Sequence, residues 1–351
     1  MRVSQKVIGI IGGGQLGKLI AISAAKLGHT THVLTDIQDH CSFANVITVA
    51  DFSHHQSLEF FAKNIDVFTI ESENIPCDVI DYISYYKAFY PGKKALYISQ
   101  NRIREKDFFR TLNLQTTDYA CIQDYDSLLE KSQIFGYPLI LKTAEMGYDG
   151  YGQYLIQNDN SIIDFVEFQW NTQYILEVCV DFVKELSIVL GRDENGRVSF
   201  FPIAENDHIN GILNTSRAPA QIDHTIIQAV QYQAQKIANA LEIIGLLAVE
   251  FFLTQDNKLL VNEIAPRPHN SCHWSLDACN ISQFEQMIRI MCGLPMQEVE
   301  LHYPCMTKNI IGSMPILKYF SNQHASITLY GKREIRDKRK MGHINFNLLT
   351  S

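Results

Sequence analysis

The sequence predicts an α/β unit with a parallel sheet, followed by α+β structure that closes on a small β unit. Three observations lead there. Residues 7–100 alternate short apolar strands with helical stretches. Residues 137–156 read as strand, glycine-rich loop and strand. From residue 172 onward the sequence is rich in strand formers, with one long helical stretch at 220–241.

In chain order, strands are expected at 7–11, 31–35, 46–49, 67–70 and 88–90, with helices at 15–27 and 77–86 between them. Residues 96–106 read as one charged helix. The stretch "YPLILKTAEMGYDGYGQYLI" follows at 137–156, then "TQYILEVCV", "KELSIVLG" and "VSFFPIA" as strands. After the long helix, "TQDNK" is a hairpin turn between two strands. Residues 309–351 form the last β unit, rich in Lys and Arg. There is no internal repeat and no low-complexity segment.

A chain of 351 residues exceeds one ordinary core, so two or three domains are expected. The hydrophobic fraction of 46% and charged fraction of 19% describe a globular protein. A net charge of −8 offers no general attraction to nucleic acid or a membrane surface. Residues 1–6 are polar and lead into a strand, which is not a signal-peptide pattern. No apolar run approaches the ~20 residues that span a bilayer. The eight cysteines are scattered without metal-like spacing and read as reduced thiols. A cytoplasmic enzyme is the expectation.

Gly12, Gly14 and Gly17 have G-x-G-x-x-G spacing between a strand and a helix, and Asp36 stands 19 residues after Gly17. This is how a dinucleotide site reads. The physics is broader: glycines admit a close backbone approach, and a helix N-terminus presents N–H groups to any anion. Dinucleotide, another phosphate ligand and a ligand-free turn all remain open from the motif.

The middle of the chain does not suit a dehydrogenase. Lys142 leads into a loop with Gly147, Gly150 and Gly152, an arrangement able to hold nucleotide phosphates and close over them. Glu177 and Glu185 stand eight residues apart. Glu250 and Glu263 lie on two strands of one hairpin, where paired carboxylates can hold Mg²⁺ against substrate phosphates. Each feature alone is equally a solvated lysine or a surface acid; their order is what signifies.

That order resembles the ATP-grasp superfamily and, within it, the N5-carboxyaminoimidazole ribonucleotide synthase family. The resemblance runs from about residue 7 to residue 347. It rests on "GGGQLG", "GYDGYGQ", "NEIAPRPHNSCHW" followed by "SQFE", and "KRKMGHIN". It implies a Rossmann-like pre-ATP-grasp domain at 1–100, a small ATP-grasp lid lobe at 101–175, and a large lobe at 176–351 with the metal site and the C-terminal β unit. It also implies ATP-dependent carboxylation of 5-aminoimidazole ribonucleotide by bicarbonate, in purine biosynthesis, by a homodimer. The cofactors implied are ATP and Mg²⁺, with Mn²⁺ able to substitute, and neither NAD nor biotin.

By the resemblance, the ATP site comprises Arg102 and Lys142 on phosphates and Gly147, Tyr148, Asp149, Gly150, Tyr151, Gly152 and Gln153 as their cover. Glu177, Val178, Cys179 and Val180 form the adenine connection, and Glu185 accepts from the ribose. His208 and Asn262 complete the nucleotide site, and Glu250 and Glu263 ligate the metal. The glycine loop serves the ribonucleotide through Gly14, Gln15 and Leu16. Glu71 and Asn74, in "ESENIP", end a strand at the sheet's carboxyl edge, where ligands gather; Glu71 and Glu73 also suit a solvated strand end. Tyr148 and Asp149 contact the imidazole, and Lys332, Arg339 and Lys340 the 5′-phosphate. Arg267 and His269 attend the carboxyl donor, with Asn270 beside them.

The residue types suit the reaction. Phosphorylating bicarbonate gives carboxyphosphate, a mixed anhydride that carboxylates an amine. Phosphoryl transfer needs charge neutralisation and alignment, which Lys, Arg and Mg²⁺ supply. The intermediate hydrolyses readily, so a closing loop that excludes water has a use. An Arg fork suits carboxyphosphate.

Three residues depart from the family pattern: Tyr151 in place of a basic residue, and Met146 and Cys272 in place of glycine. The sequence also ends soon after "GHIN", where relatives commonly continue. The nearest alternative is another ATP-grasp ligase, such as a formate-dependent glycinamide ribonucleotide transformylase or a biotin carboxylase. A nicotinamide oxidoreductase and a catalytically silent binding protein are more distant ones.

Overall fold

The computed structural model describes residues 4–36, 43–147, 152–315 and 317–349. Its first unit is a parallel sheet of β1 (Val7–Ile11), β2 (Thr30–Thr35), β3 (Val46–Val49), β4 (Val67–Ile70) and β5 (Ala88–Phe89), in the order β3-β2-β1-β4-β5. The helices α1 (Gln15–Lys26), α2 (His55–Lys63) and α3 (Cys77–Ser84) connect its strands. β1 and β4 read as apolar runs because parallel strands are covered on both faces: Ile8, Ile10, Ile11, Phe68 and Ile70 are fully buried.

The expected charged helix at 96–106 is two helices, α4 (Lys93–Ser99) and α5 (Arg102–Thr111). The break is Asn101, whose side chain accepts the Ile103 and Arg104 N–H groups and so caps α5. α5 leads into the second unit. There β6 (Tyr119–Ile122), β7 (Leu139–Thr143), β8 (Gln153–Ile156) and β9 (Tyr174–Val178) pair antiparallel in the order β6-β9-β7-β8. The helices α6 (Tyr125–Phe135) and α7 (Asp159–Ile162) belong to this unit. Its own core includes Leu128, Leu139, Leu141, Ile156 and Leu176.

The third unit is one large sheet. Its strands are β10 (Phe182–Arg192), β11 (Val198–Phe200), β12 (Ala204–Ile209), β13 (Ile212–Ala218), β14 (Gly245–Thr254), β15 (Leu259–Ala265), β16 (Cys305–Ile311), β17 (Ala325–Leu329) and β18 (Lys340–Asn347). The order is β15-β14-β10-β12-β13-β16-β18-β17, with β11 on β10. The strands of the C-terminal β unit continue this sheet, since β13 pairs β16.

The expected long helix is α8 (His224–Ala240), starting later than residue 220 because the Ala220 N–H still bonds the Ile203 carbonyl. Its buried Ile226, Val230, Ala234, Ile237 and Ala238 form one stripe against the sheet. The turn at 254–258 closes as expected, with the Thr254 N–H on the Lys258 carbonyl at 3.0 Å. Two further helices, α9 (Ser275–Ala278) and α10 (Gln283–Met291), follow β15. α1 packs on α10 through a shared core containing Leu16, Leu19, Ile20, Trp274, Phe284, Met287 and Ile288. This joins the first sheet to the large one. Among the described residues, the cysteines are free thiols and no helix is long and apolar enough to cross a membrane.

Candidate active site

The glycine turn ahead of α1 is occupied by the chain itself. The Gly14 N–H donates to Glu71 Oε1 at 2.6 Å and the Gly17 N–H to Oε2 at 2.9 Å. Glu71 follows β4, and only glycines leave room for its carboxylate: a Cβ on Gly14 would sit 2.6 Å from Oε1. Burial pushes the Glu71 carboxyl up, partly opposed by the two N–H groups and by the charges of Arg267 and Lys332. The turn was expected to present these donors outward. Leu16, expected beside the substrate, sends its side chain into the core.

Beside this turn, Lys332 Nζ donates to Gln15 Oε1 at 2.7 Å, joining residues 317 positions apart. The Arg267 Nε donates to Glu73 Oε2 at 2.9 Å. Burial disfavours the Arg267 charge, but Glu73, Glu263 and Glu71 together outweigh it and raise its pKa. Glu71 and Glu73 are thus fixed by backbone donors and an arginine and are not solvated strand ends. The Asn74 N–H turns back to Ser72 Oγ at 3.2 Å.

The second cluster lies between α5, β7, β9 and β15. Glu177 is 4% exposed and accepts from two lysines: Lys106 at 3.2 Å on Oε1, and Lys142 on Oε2. Burial alone would raise the Glu177 carboxyl, but Lys106 and Lys142 hold it well below the carboxylate range. Arg102 pairs with Glu263 at 3.1 Å. Glu105, on the buried side of α5, accepts the Ile264 N–H at 2.8 Å. Burial and the charge of Glu263 push its carboxyl up to about 8. The Lys142 partner across the β7–β8 hairpin is Gln153. Gly152, at φ +69, closes the loop onto Thr143, whose N–H meets the Gly152 carbonyl at 2.9 Å. Gly147 stands at the other end. Tyr148, Asp149, Gly150 and Tyr151 lie outside the described residues.

After β9 the backbone is largely engaged. The Val178 N–H bonds the Asp118 carbonyl, its carbonyl accepts Thr117 Oγ1, and the Cys179 N–H bonds the Pro138 carbonyl. On β10 and β12, Glu185 Oε2 lies 2.8 Å from His208 Nδ1. Glu185 registers with Asn206.

The third cluster is the β14–β15 hairpin and the loop after it. A register shift between Val249 and Phe251 sets Glu250 opposite the Asn262–Glu263 segment. Glu250 is 6% exposed, and burial followed by the charges of Glu263 and Glu185 pushes its carboxyl far up. His269 Nε2 stands 3.5 Å from Glu250 Oε1. Burial, then the charge of Arg267, pushes the His269 imidazole down to about 3. Its Nδ1 meets Ser271 Oγ at 2.8 Å. Gln283 grips the loop from α10, donating to the His269 carbonyl and accepting its N–H, both at 2.8 Å. Asn270 Oδ1 is buried with no hydrogen-bond partner. A buried Glu250 facing the half-exposed, mutually repelling Glu263 supplies hard oxygen donors that fit a divalent cation.

Lys340, expected on the 5′-phosphate, is 5% exposed at the start of β18, and its charge bears on Glu250 and His269. Arg339 turns away, donating to the Glu334 carbonyl at 3.0 Å. Cys272 packs in the core at 2% exposure. Sequence reading missed Lys106 and Glu105. Their signal was present, since two charges on the apolar-packed side of an otherwise amphipathic helix demand partners, but only the fold names those partners.

Three family models match this chain: a ribonucleotide synthetase preATP-grasp domain at residues 5–100, an ATP-grasp domain at 107–284, and a phosphoribosylaminoimidazole carboxylase C-terminal domain at 305–350. The N5-carboxyaminoimidazole ribonucleotide synthase of Bacillus subtilis is 40% identical over 97% of this chain and 91% of its own. That of Brucella melitensis is 38% identical over 96% and 95%. The Staphylococcus aureus N5-carboxyaminoimidazole synthetase complexed with ADP superposes with a TM-score of 0.91 at 33% identity, covering 99% of this chain and 95% of its own. The Aspergillus clavatus enzyme with ADP and 5-aminoimidazole ribonucleotide gives 0.90 at 26% identity, covering 99% and 94%. The glycine turn, the lysine-bracketed carboxylate and the hairpin acids thus stand in a chain that belongs to the N5-carboxyaminoimidazole ribonucleotide synthase family, within the ATP-grasp superfamily.

Proposed function

We propose that this protein uses ATP to carboxylate 5-aminoimidazole ribonucleotide with bicarbonate, giving N5-carboxyaminoimidazole ribonucleotide, ADP and phosphate. The observation that carries this reading is the convergence of Arg267, His269, Glu250 and Lys332 on one cleft beside Arg102 and Lys142. A bicarbonate oxygen attacks the γ-phosphorus and ADP leaves. The exocyclic amine then attacks the carboxyl carbon, phosphate leaves and the amine loses a proton.

Arg102 and Lys142 hold ATP phosphates, and the segment 147–153 covers them. Because Val178 and the Cys179 N–H are engaged, the adenine edge falls to Val180 and the Cys179 carbonyl. Glu185 accepts from the ribose, with His208 fixing its carboxylate, and Asn262 stands beside the phosphates. Glu250 and Glu263 hold Mg²⁺, which supplies charge neutralisation of the phosphates. Arg267 forks the carboxyl donor. His269, held neutral by burial, orients the carboxyl donor through Nε2. Lys332, with Gln15, and Lys340 receive the ribonucleotide phosphate, and Asp149 its imidazole. The units fall at 1–100, 101–178 and 179–351, the second boundary moved from residue 175 so that β9 stays whole, in a cytoplasmic homodimer.

The test is ATP turnover with each acceptor. Phosphate release stimulated by 5-aminoimidazole ribonucleotide with bicarbonate supports the reading. Stimulation instead by glycinamide ribonucleotide with formate, or by biotin, overturns it.

A further inference from the structure

Lys142 faces a conflict. The nucleotide reading needs its ammonium on phosphate, yet in this structure it is paired with the buried Glu177. Removing one partner from a buried ion pair is strongly unfavourable, because it strands the other charge. Some second group must keep Glu177 compensated while Lys142 leaves.

Lys106 is that group by geometry. It is 2% exposed, and its ammonium is held by Glu177 Oε1 at 3.2 Å, Thr116 Oγ1 at 3.1 Å and the Asn262 carbonyl at 3.1 Å. Three donors on three fixed acceptors leave it no alternative position. Lys142 differs in being partly exposed, 12% against 2%, at the mouth of the glycine loop. One carboxylate therefore has one immobile cation and one able to move.

We propose that Lys106 is a positioning residue, a fixed counter-ion to Glu177 that lets Lys142 transfer from Glu177 to the nucleotide phosphates without stranding a buried carboxylate. The inference rests on the nucleotide reading of this cleft. The groups facing Glu177 are few. α5 offers Lys106 and Arg102, and β7 offers Lys142. β6 sets Tyr119 opposite in register, with its hydroxyl given to Asp107, and the Cys179 thiol lies nearby. With Lys106 neutral, departure of Lys142 leaves Arg102 as the only cation near Glu177 among these groups, and Arg102 is already paired with Glu263. Glu177 would then take up a proton when nucleotide binds.

The experiment is calorimetric binding of Mg·ADP between pH 6.5 and 8.5, in buffers of different ionisation heat, to the full-length protein and to Lys106→Met. For the variant we expect roughly tenfold or greater weakening at the alkaline end, recovery as pH falls, and up to one extra proton taken up per nucleotide. Lys106→Arg should restore affinity and abolish the extra proton. Lys106→Met/Glu177→Gln should show no extra proton. The KM for 5-aminoimidazole ribonucleotide should move far less than that for ATP. Equal weakening at every pH, or wild-type affinity with no extra proton, overturns the proposal. If Lys106→Met does not fold, Lys106→Gln takes the same test. Failure of the unmodified protein to bind Mg·ADP would instead overturn the nucleotide reading.

Discussion

The Glu71 carboxylate accepts the Gly14 N–H at 2.6 Å, so the turn heading the first helix is closed by the protein's own anion. A dinucleotide pyrophosphate would need the donors that Glu71 holds. We expect no specific NADH binding. Calorimetry should show none in the micromolar range, and micromolar binding would contradict this account of the turn.

The same relationship makes the glycines structural. A Cβ on Gly14 would stand 2.6 Å from Glu71 Oε1. Overpacking of this kind costs about 1–3 kcal/mol. Gly14→Ala should lower the urea midpoint accordingly, and Gly14→Ala with Glu71→Ala should recover part of the loss. An unchanged midpoint in the single variant would show that Glu71 does not occupy the turn in solution.

Met146 sits at φ +60, a region that disfavours residues with a Cβ, and is 68% exposed. Left-handed backbone costs roughly 1–2 kcal/mol in such residues. Met146→Gly relieves that strain but adds entropy to the unfolded chain, so thermal stability should change by less than about 1 kcal/mol. The loop should close faster on nucleotide, which stopped-flow fluorescence measures. Slower closure would mean that Met146 packs on the closed loop.

His32 is fully buried, with Nε2 on Thr48 Oγ1 at 2.8 Å, and burial pushes its imidazole down to about 4. Its folded pKa lies below the unfolded value of about 6.5. The unfolded chain therefore binds more protons between these values, and stability falls as pH falls from about 6.5 to 4. The linkage amounts to at most about 3 kcal/mol. His32→Gln should flatten this part of the stability profile. An equally steep profile in the variant would place the acid sensitivity elsewhere.

Lys332→Ala should raise the KM for the ribonucleotide at least tenfold while leaving that for ATP within about twofold. Lys332 meets Gln15 beside the glycine turn, where the ribonucleotide is proposed to sit, whereas Lys142 holds the buried Glu177 proposed to lie beside ATP. Equal changes in both constants would move Lys332 out of the acceptor site.

Much of this was legible in the sequence. The parallel sheet follows from apolar runs such as Val7–Ile11, and the hairpin acids from the spacing of Glu250 and Glu263 about a turn. The break at Asn101 was missed because capping competes with helical periodicity and depends on side-chain geometry. The placement of Lys340 was missed because a run of Lys and Arg reads as solvated, whereas β18 is buried on both faces from its first residue, Lys340 through Asn345. Glu71 closing the glycine turn was invisible because it pairs residues 57 positions apart through backbone donors. Lys106 left a signal, a charge on the packed side of a helix, but its partner Glu177 is 71 positions away, and only the fold brings the two together.

The proposed reaction phosphorylates bicarbonate and passes its carboxyl group to the ribonucleotide amine. The most direct test is a single-turnover reaction with ¹⁸O-labelled bicarbonate, ATP and 5-aminoimidazole ribonucleotide, reading the inorganic phosphate by mass spectrometry. Attack by a bicarbonate oxygen on the γ-phosphorus leaves that oxygen on phosphate, so one ¹⁸O per phosphate is expected, in step with carboxylated product. Product accompanied by unlabelled phosphate would contradict the account.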